Sequence, residues 1–239
     1  MRIDRYLANM GCGSRSEVKR LIKSGLVTIN DQTVRNESFQ IHPGFDIVVC
    51  WGAEVAYRKH IYLMLNKPAG VVSATRDSRE RTVLDLLDQK YLNKGIFPVG
   101  RLDKDTEGLL ILTNNGDLGH QLLAPKKKVP KKYFAKVSGP IGLEEIESFR
   151  KGIVLDDGYQ TRPAQLEVVD CGAECEVIVI IEEGKYHQIK RMFQALGKKV
   201  LYLKRLAMGE LSIDPSLRIG DYRELTLEEI DLIEKPLLN

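Results

Sequence analysis

The sequence predicts an α+β fold: a small N-terminal module followed by a larger domain whose mixed, largely antiparallel sheet is flanked by helices. Two observations lead there. Apolar residues recur at strand spacing in some segments and at helical spacing in others, without the regular alternation that builds a parallel, doubly wound sheet. The first ~60 residues also pattern as a self-contained unit, well under usual domain size. The 239 residues, 43% hydrophobic and 29% charged, suffice for one sizeable domain plus a small accessory one.

Ile3, Tyr6, Leu7 and Met10 lie at helical spacing before Gly11-Cys12-Gly13 breaks the helix. Ser14 followed by Glu17 predicts a capping box, in which each side chain satisfies the other's free backbone donor. Val18, Leu21 and Ile22 form the apolar face of this second helix, and Gly25 ends it. Its other face carries Arg15, Lys19, Arg20 and Lys23. Residues 26–29 predict a strand, Asn30-Asp31 a tight turn, Val34 onward the return, and residues 47–51 a closing strand.

In the remainder, residues 61–65 and 71–74 are strand-like on either side of the turn Asn66-Lys67-Pro68-Ala69-Gly70. Thr82 caps a helix through Val83, Leu86 and Leu87, and residues 109–113 form a strand closed by the turn signal Asn114-Asn115-Gly116. Strands follow at 133–137, 165–169, 177–181 and, with interruptions, 200–213. Helices follow at 143–151, ended by Gly152, and 187–196, ended by Gly197; Thr226 and Glu229 cap a last one.

Several function classes drop out. The N-terminus is charged where a signal peptide needs an apolar core, and no apolar run approaches membrane-spanning length, so a cytoplasmic protein is expected. Cys171 and Cys175 lack a second Cys/His pair at zinc spacing; they are read as reduced side chains, and no metal is assigned. Net charge is only +3, but residues 126–136 hold six lysines and no acid, and residues 185–205 seven basic residues and no acid. Such stretches within a folded pattern suit a polyanion, or else a solvated lysine face.

The segment GRLDKDTEGLL, residues 100–110, sets three carboxylates between two glycines directly before an apolar strand. A carboxylate held on such a loop can serve as nucleophile or base, or be a solvated acid. The glycine spacing is not that of a P-loop. His187, beside a strand–helix junction, is read as structural rather than as a base.

Two resemblances give these blocks a meaning. Residues 14–34, SRSEVKRLIKSGLVTINDQTV, resemble an S4 RNA-binding domain of αL type. GRLDKDTEGLLILTNNG, residues 100–116, resembles the signature of pseudouridine synthases, in the branch that modifies bacterial ribosomal RNA with one S4 domain. MLNKPAGVVSA, KKYFAKVSG, EGKYHQIKRMFQALG and VLYLKRLAMGEL resemble that branch's other motifs in the same order. The resemblance implies an S4 domain at residues 1–58 and a catalytic domain at 59–239. It implies Asp103 as catalytic aspartate, Tyr133 as the aromatic stacking on the target base, and Leu203 as a pocket residue. Lys190 becomes the cation paired with the aspartate, with Arg191 the competing candidate.

Arg15, Lys19, Arg20, Lys23, Arg101 and Arg191 are the expected RNA contacts. The implied enzyme is a monomer acting without a cofactor, since the isomerisation involves no net oxidation. The implied substrate is 16S rRNA, with 23S rRNA as the alternative. Two other readings stay open: an S4-type RNA-binding protein without activity, and a glycoside hydrolase using two of Asp103, Asp105 and Glu107.

Overall fold

The computed structural model describes residues 1–57, 60–92 and 94–234. The chain divides into two compact units, Met1–His60 and Ile61–Asn239. The boundary expected between residues 58 and 59 lies outside the described residues.

The first unit contains α1 (Ile3–Asn9), α2 (Arg15–Lys23), β1 (Val27–Ile29), β2 (Gln32–Thr33), β3 (Val48–Cys50) and β4 (Ala53–Glu54), with strand order β2-β1-β3-β4. The capping box forms: Ser14 Oγ accepts from the Glu17 amide, and Glu17 Oε2 accepts from the Ser14 amide at 2.7 Å. Asn30 and Asp31 both take positive φ, 48° and 66°, the geometry of a tight hairpin turn matched to strand twist. Ile3, Leu7, Val18, Ile22, Val27 and Val48 close the core beneath the helices. The closing strand does not run on through Trp51. That residue and Gly52 have φ of 55° and 77°, turning the chain into β4.

The second unit is built on one large sheet. Its elements are β5 (Tyr62–Lys67), α3 (Gln89–Leu92), β6 (Phe97–Pro98), β7 (Glu107–Thr113), α4 (Gly116–Leu123), β8 (Lys131–Ser138), α5 (Leu143–Lys151), β9 (Gln165–Cys171), β10 (Glu174–Ile181), α6 (Gln188–Ala195), β11 (Val200–Met208), β12 (Leu211–Ser212), β13 (Tyr222–Glu224) and α7 (Leu227–Glu234). The main strand order is β13-β5-β7-β11-β8-β10-β9, with β6 on β7 and β12 on β11. Among the strand pairs of this sheet in the described residues, only β7–β11 is parallel. The fold class is α+β with a mixed, mostly antiparallel sheet.

Both faces of the central strands are covered. Leu63, Leu65, Leu110 and Leu112 enter one core with Phe193 of α6, while Met64, Leu109, Ile111 and Ile233 of α7 form the other. This is why β5 and β7 are nearly continuous apolar runs rather than alternating ones.

Several expectations are corrected. Residues 71–74 make no strand; Val72 pairs locally with Thr82 instead. Thr82 precedes a single 3-10 turn, Val83–Leu86, not a longer helix. Asn114-Asn115-Gly116 is no hairpin turn: the Asn115 side chain accepts from the Leu118 amide at 3.2 Å and caps α4. Cys171 and Cys175, expected as separate thiols, are cross-strand partners in the β9–β10 hairpin and are joined as a disulfide. The basic stretches are not uniform surfaces. Lys131 is buried with its ammonium on the Val129 carbonyl, and Arg205 is buried with its Nε on the Leu109 carbonyl.

Candidate active site

The loop carrying Asp103 leads into β7 and is tied down from the side by the turn after β5. Lys67, fully buried at the end of β5, donates to the carbonyls of Pro68 and Thr106, each at 2.9 Å, and of Lys104 at 3.3 Å. The Gly70 amide adds a second bond to the Lys104 carbonyl at 2.7 Å. Ser73 Oγ donates to the Leu102 carbonyl at 2.8 Å and accepts from its amide at 3.0 Å. Burial pushes the Lys67 ammonium down to about 8, against the opposing pull of Asp105, Asp103 and Glu107. Asp103 is thus held by a loop whose carbonyls converge on one buried cation.

The three carboxylates have separate environments. Glu107 Oε2 accepts from the Tyr202 hydroxyl at 2.6 Å, joining β7 to β11. The Asp105 side chain is 74% exposed, whereas that of Asp103 is 25% exposed. Lys190, from α6, bridges the two, 3.0 Å from Asp103 and 2.5 Å from Asp105. Burial disfavours the Lys190 charge, but hydrogen bonds to Asp105 and Asp103 outweigh it and raise its pKa above the ordinary lysine value. Burial likewise opposes ionisation of Asp105, and the Lys190 contact again prevails, keeping that carboxyl below its usual range.

Asp103 faces a cleft lined also by Arg101, Tyr133, His187, Lys190 and Leu203. Tyr133 comes from β8 and Leu203 from β11; both are buried at the cleft wall. The structure therefore gathers Asp103, Tyr133, Lys190, Leu203 and Arg101 around one opening. Arg191 does not join the aspartate. Its guanidinium is committed to Asp156 and Asp157, with Nε 2.6 Å from Asp156 Oδ1. Arg15, Lys19, Arg20 and Lys23 lie on α2 of the first unit, where Lys19 is 3.0 Å from Glu37 and Lys23 is 4.0 Å from it.

Two site features were not legible as such in the sequence. Lys67 carries a signal, a lysine closing an otherwise apolar strand, but not its target carbonyls. His187, read as structural, places Nε2 3.6 Å from Asp103 Oδ1. Its proximity depends on a backbone φ of 49°, which the sequence does not announce.

Comparison with known proteins adds a family context. Residues 61–195 match the family described as RNA pseudouridylate synthase, and residues 1–47 match the S4 domain. The chain is 48% identical to an uncharacterized RNA pseudouridine synthase, YtzG, of Bacillus subtilis, over 99% of both chains. It is 40% identical to ribosomal small subunit pseudouridine synthase A of Vibrio cholerae, across 98% of this chain and 100% of that one. The corresponding Escherichia coli protein is 37% identical over 96% of this chain and 98% of its own. A crystal structure of a pseudouridylate synthase superposes with a TM-score of 0.69 at 34% identity, covering 98% of this chain and 99% of the other.

Proposed function

Because the chain belongs to the RNA pseudouridylate synthase family and carries an S4 domain, we propose that it isomerises a uridine of 16S rRNA, with Asp103 at the reacting centre. The protein is a pseudouridine synthase, an isomerase; that membership removes the glycoside hydrolase and the non-catalytic RNA-binding readings. The observation that carries the site assignment is the geometry of Asp103: partly buried, at the cleft, 3.0 Å from the Lys190 ammonium.

In the reaction the glycosidic bond from ribose C1′ to N1 of uracil breaks, the base turns, and C1′ bonds to C5. The C5 proton is lost and N1 ends protonated, so atoms balance without an oxidant. Asp103 serves as nucleophile or as the base that removes a sugar proton, with the Lys190 ammonium 3.0 Å from its carboxyl. The uridine must leave its stack, at a cost of a few kcal/mol, least in unpaired RNA. Stacking on Tyr133 returns ~1–3 kcal/mol of this, and Leu203 closes the apolar side of the pocket. Arg101 at the rim and the basic face of α2 supply phosphate contacts. Support for 16S rRNA lies in the Vibrio cholerae and Escherichia coli relatives, whose names specify the small subunit.

The test is pseudouridine mapping of both rRNAs after incubation with wild-type and Asp103→Asn protein. The wild type introduces pseudouridine into 16S rRNA. The variant introduces none, while its RNA affinity stays within about threefold, because an amide keeps the side chain's size but loses its charge. Turnover by the variant removes Asp103 from the centre, and modification confined to 23S rRNA replaces the substrate.

A further inference from the structure

Tyr186 and His187 lie between β10 and α6, at the edge of the cleft that holds Asp103. The Tyr186 side chain is 74% exposed, and its ring lies flat on the His187 imidazole, with centroids 3.8 Å apart and planes inclined by 18°. The His187 backbone sits at φ 49°, a left-handed conformation that non-glycine residues adopt sparingly. In that conformation one imidazole does two things. Its edge lines the cleft, with Nε2 3.6 Å from Asp103 Oδ1, and its face carries the exposed phenol ring.

The platform is anchored from below. Arg191 Nη1 donates to the Tyr186 carbonyl at 3.5 Å, and the same guanidinium is fixed by Asp156 and Asp157. Tyr186 adds nothing to the hydrophobic cores. Lys185 precedes the pair in sequence, and Lys185 and Arg101 line the adjoining cleft next to the Lys190 ion pairs, so cations stand near the rings. An exposed aromatic face beside cations is the arrangement by which proteins hold single-stranded nucleic acid, since every base offers a π-face.

We propose that the Tyr186–His187 pair is a stacking platform for the RNA base next to the flipped uridine. This rests on the reading of the cleft as an RNA-modifying site and deepens it. When a uridine turns into the cleft, its neighbour loses a stacking partner. Tyr186, exposed and stacked on the His187 ring, replaces that partner, which lowers the cost of flipping irrespective of the neighbour's identity.

The full-length protein is tested in two arms: affinity for a labelled ten-nucleotide oligouridylate, and steady-state pseudouridine formation on transcribed 16S rRNA. Tyr186→Ala raises both the oligonucleotide Kd and KM about tenfold, the scale of one lost base stack, with a smaller change in kcat. The slope of affinity against salt stays the same, because no phosphate contact is lost. Tyr186→Phe and Tyr186→Trp restore binding, since the ring and not the hydroxyl is used. Unchanged Kd and KM overturn the platform. So does a fall in kcat alone, which makes Tyr186 a support for His187 and Asp103. Failure of the wild type to modify 16S rRNA removes the substrate reading instead, and the oligouridylate arm still decides the platform.

Discussion

At the scale of single residues, the question is what separates Asp103 from two neighbouring acids. Glu107 is engaged by Tyr202 and Asp105 is largely in solvent, whereas Asp103 lines the cleft together with Tyr133 and Leu203. Lys190 holds Asp103 and Asp105 together, and without it two like charges would share the loop end uncompensated. Lys190→Met should lower kcat on the order of 10²-fold, the scale of losing one electrostatic partner at a reacting centre. Lys190→Arg should retain most activity, because a guanidinium can reach both carboxylates. The same change gives a titration test. The Lys190 contact is what keeps Asp105 below its usual range, so Lys190→Met must raise the Asp105 pKa. Carboxyl-carbon NMR titration reads this directly, and an unmoved Asp105 would show that the pair is not coupled.

At the scale of elements, the parallel contact between β7 and β11 sets the distance between the Asp103 loop and Leu203. Gly108 permits it: φ is +98°, and a Cβ there would run into the Arg205 backbone. Gly108→Ala should therefore cost about 2–4 kcal/mol, combining backbone strain with steric overlap, and denaturant midpoints will show it. Ser14→Ala removes a solvent-facing cap and should cost only about 1 kcal/mol. Elements with local signals were legible in the sequence: the Ser14–Glu17 box, the Leu143–Lys151 helix, and the alternation of β8. What failed had local signals with more than one physical outcome. Asn115 can make a turn or cap a helix, and only the sheet beyond it selects the cap. Residues 71–74 have strand composition, but Ser73 is taken by Leu102 and Val72 by Thr82, so the ladder never forms. The residues of the candidate site were named from an ordered set of motifs; the convergence of Tyr133, Lys190 and Leu203 on one cleft required the topology.

At the scale of the whole molecule, the basic balance conceals cations that serve the fold rather than a ligand. Lys67 is the clearest, since its ammonium is buried under the Asp103 loop and its pKa is depressed to about 8 from 10.5. Below about pH 8 folded and unfolded chains both hold this proton, and the folded state bears the full cost of burying the charge. Between about 8 and 10.5 the folded chain releases the proton while the unfolded chain keeps it, so rising pH favours the folded state. At 1.36 kcal/mol per unit this amounts to about 2 kcal/mol by roughly pH 9.5. Lys67→Met lacks this titrating group and its share of the gain. Lys131, also depressed to about 8 by burial and by Arg205, titrates in both proteins and cancels from the comparison. Urea midpoints at pH 7.5 and 9.5 should therefore show the wild type gaining on Lys67→Met as pH rises. A constant difference between the two proteins would mean that Lys67 keeps an ordinary pKa, the carbonyls of Pro68, Lys104 and Thr106 offsetting the cost of its burial.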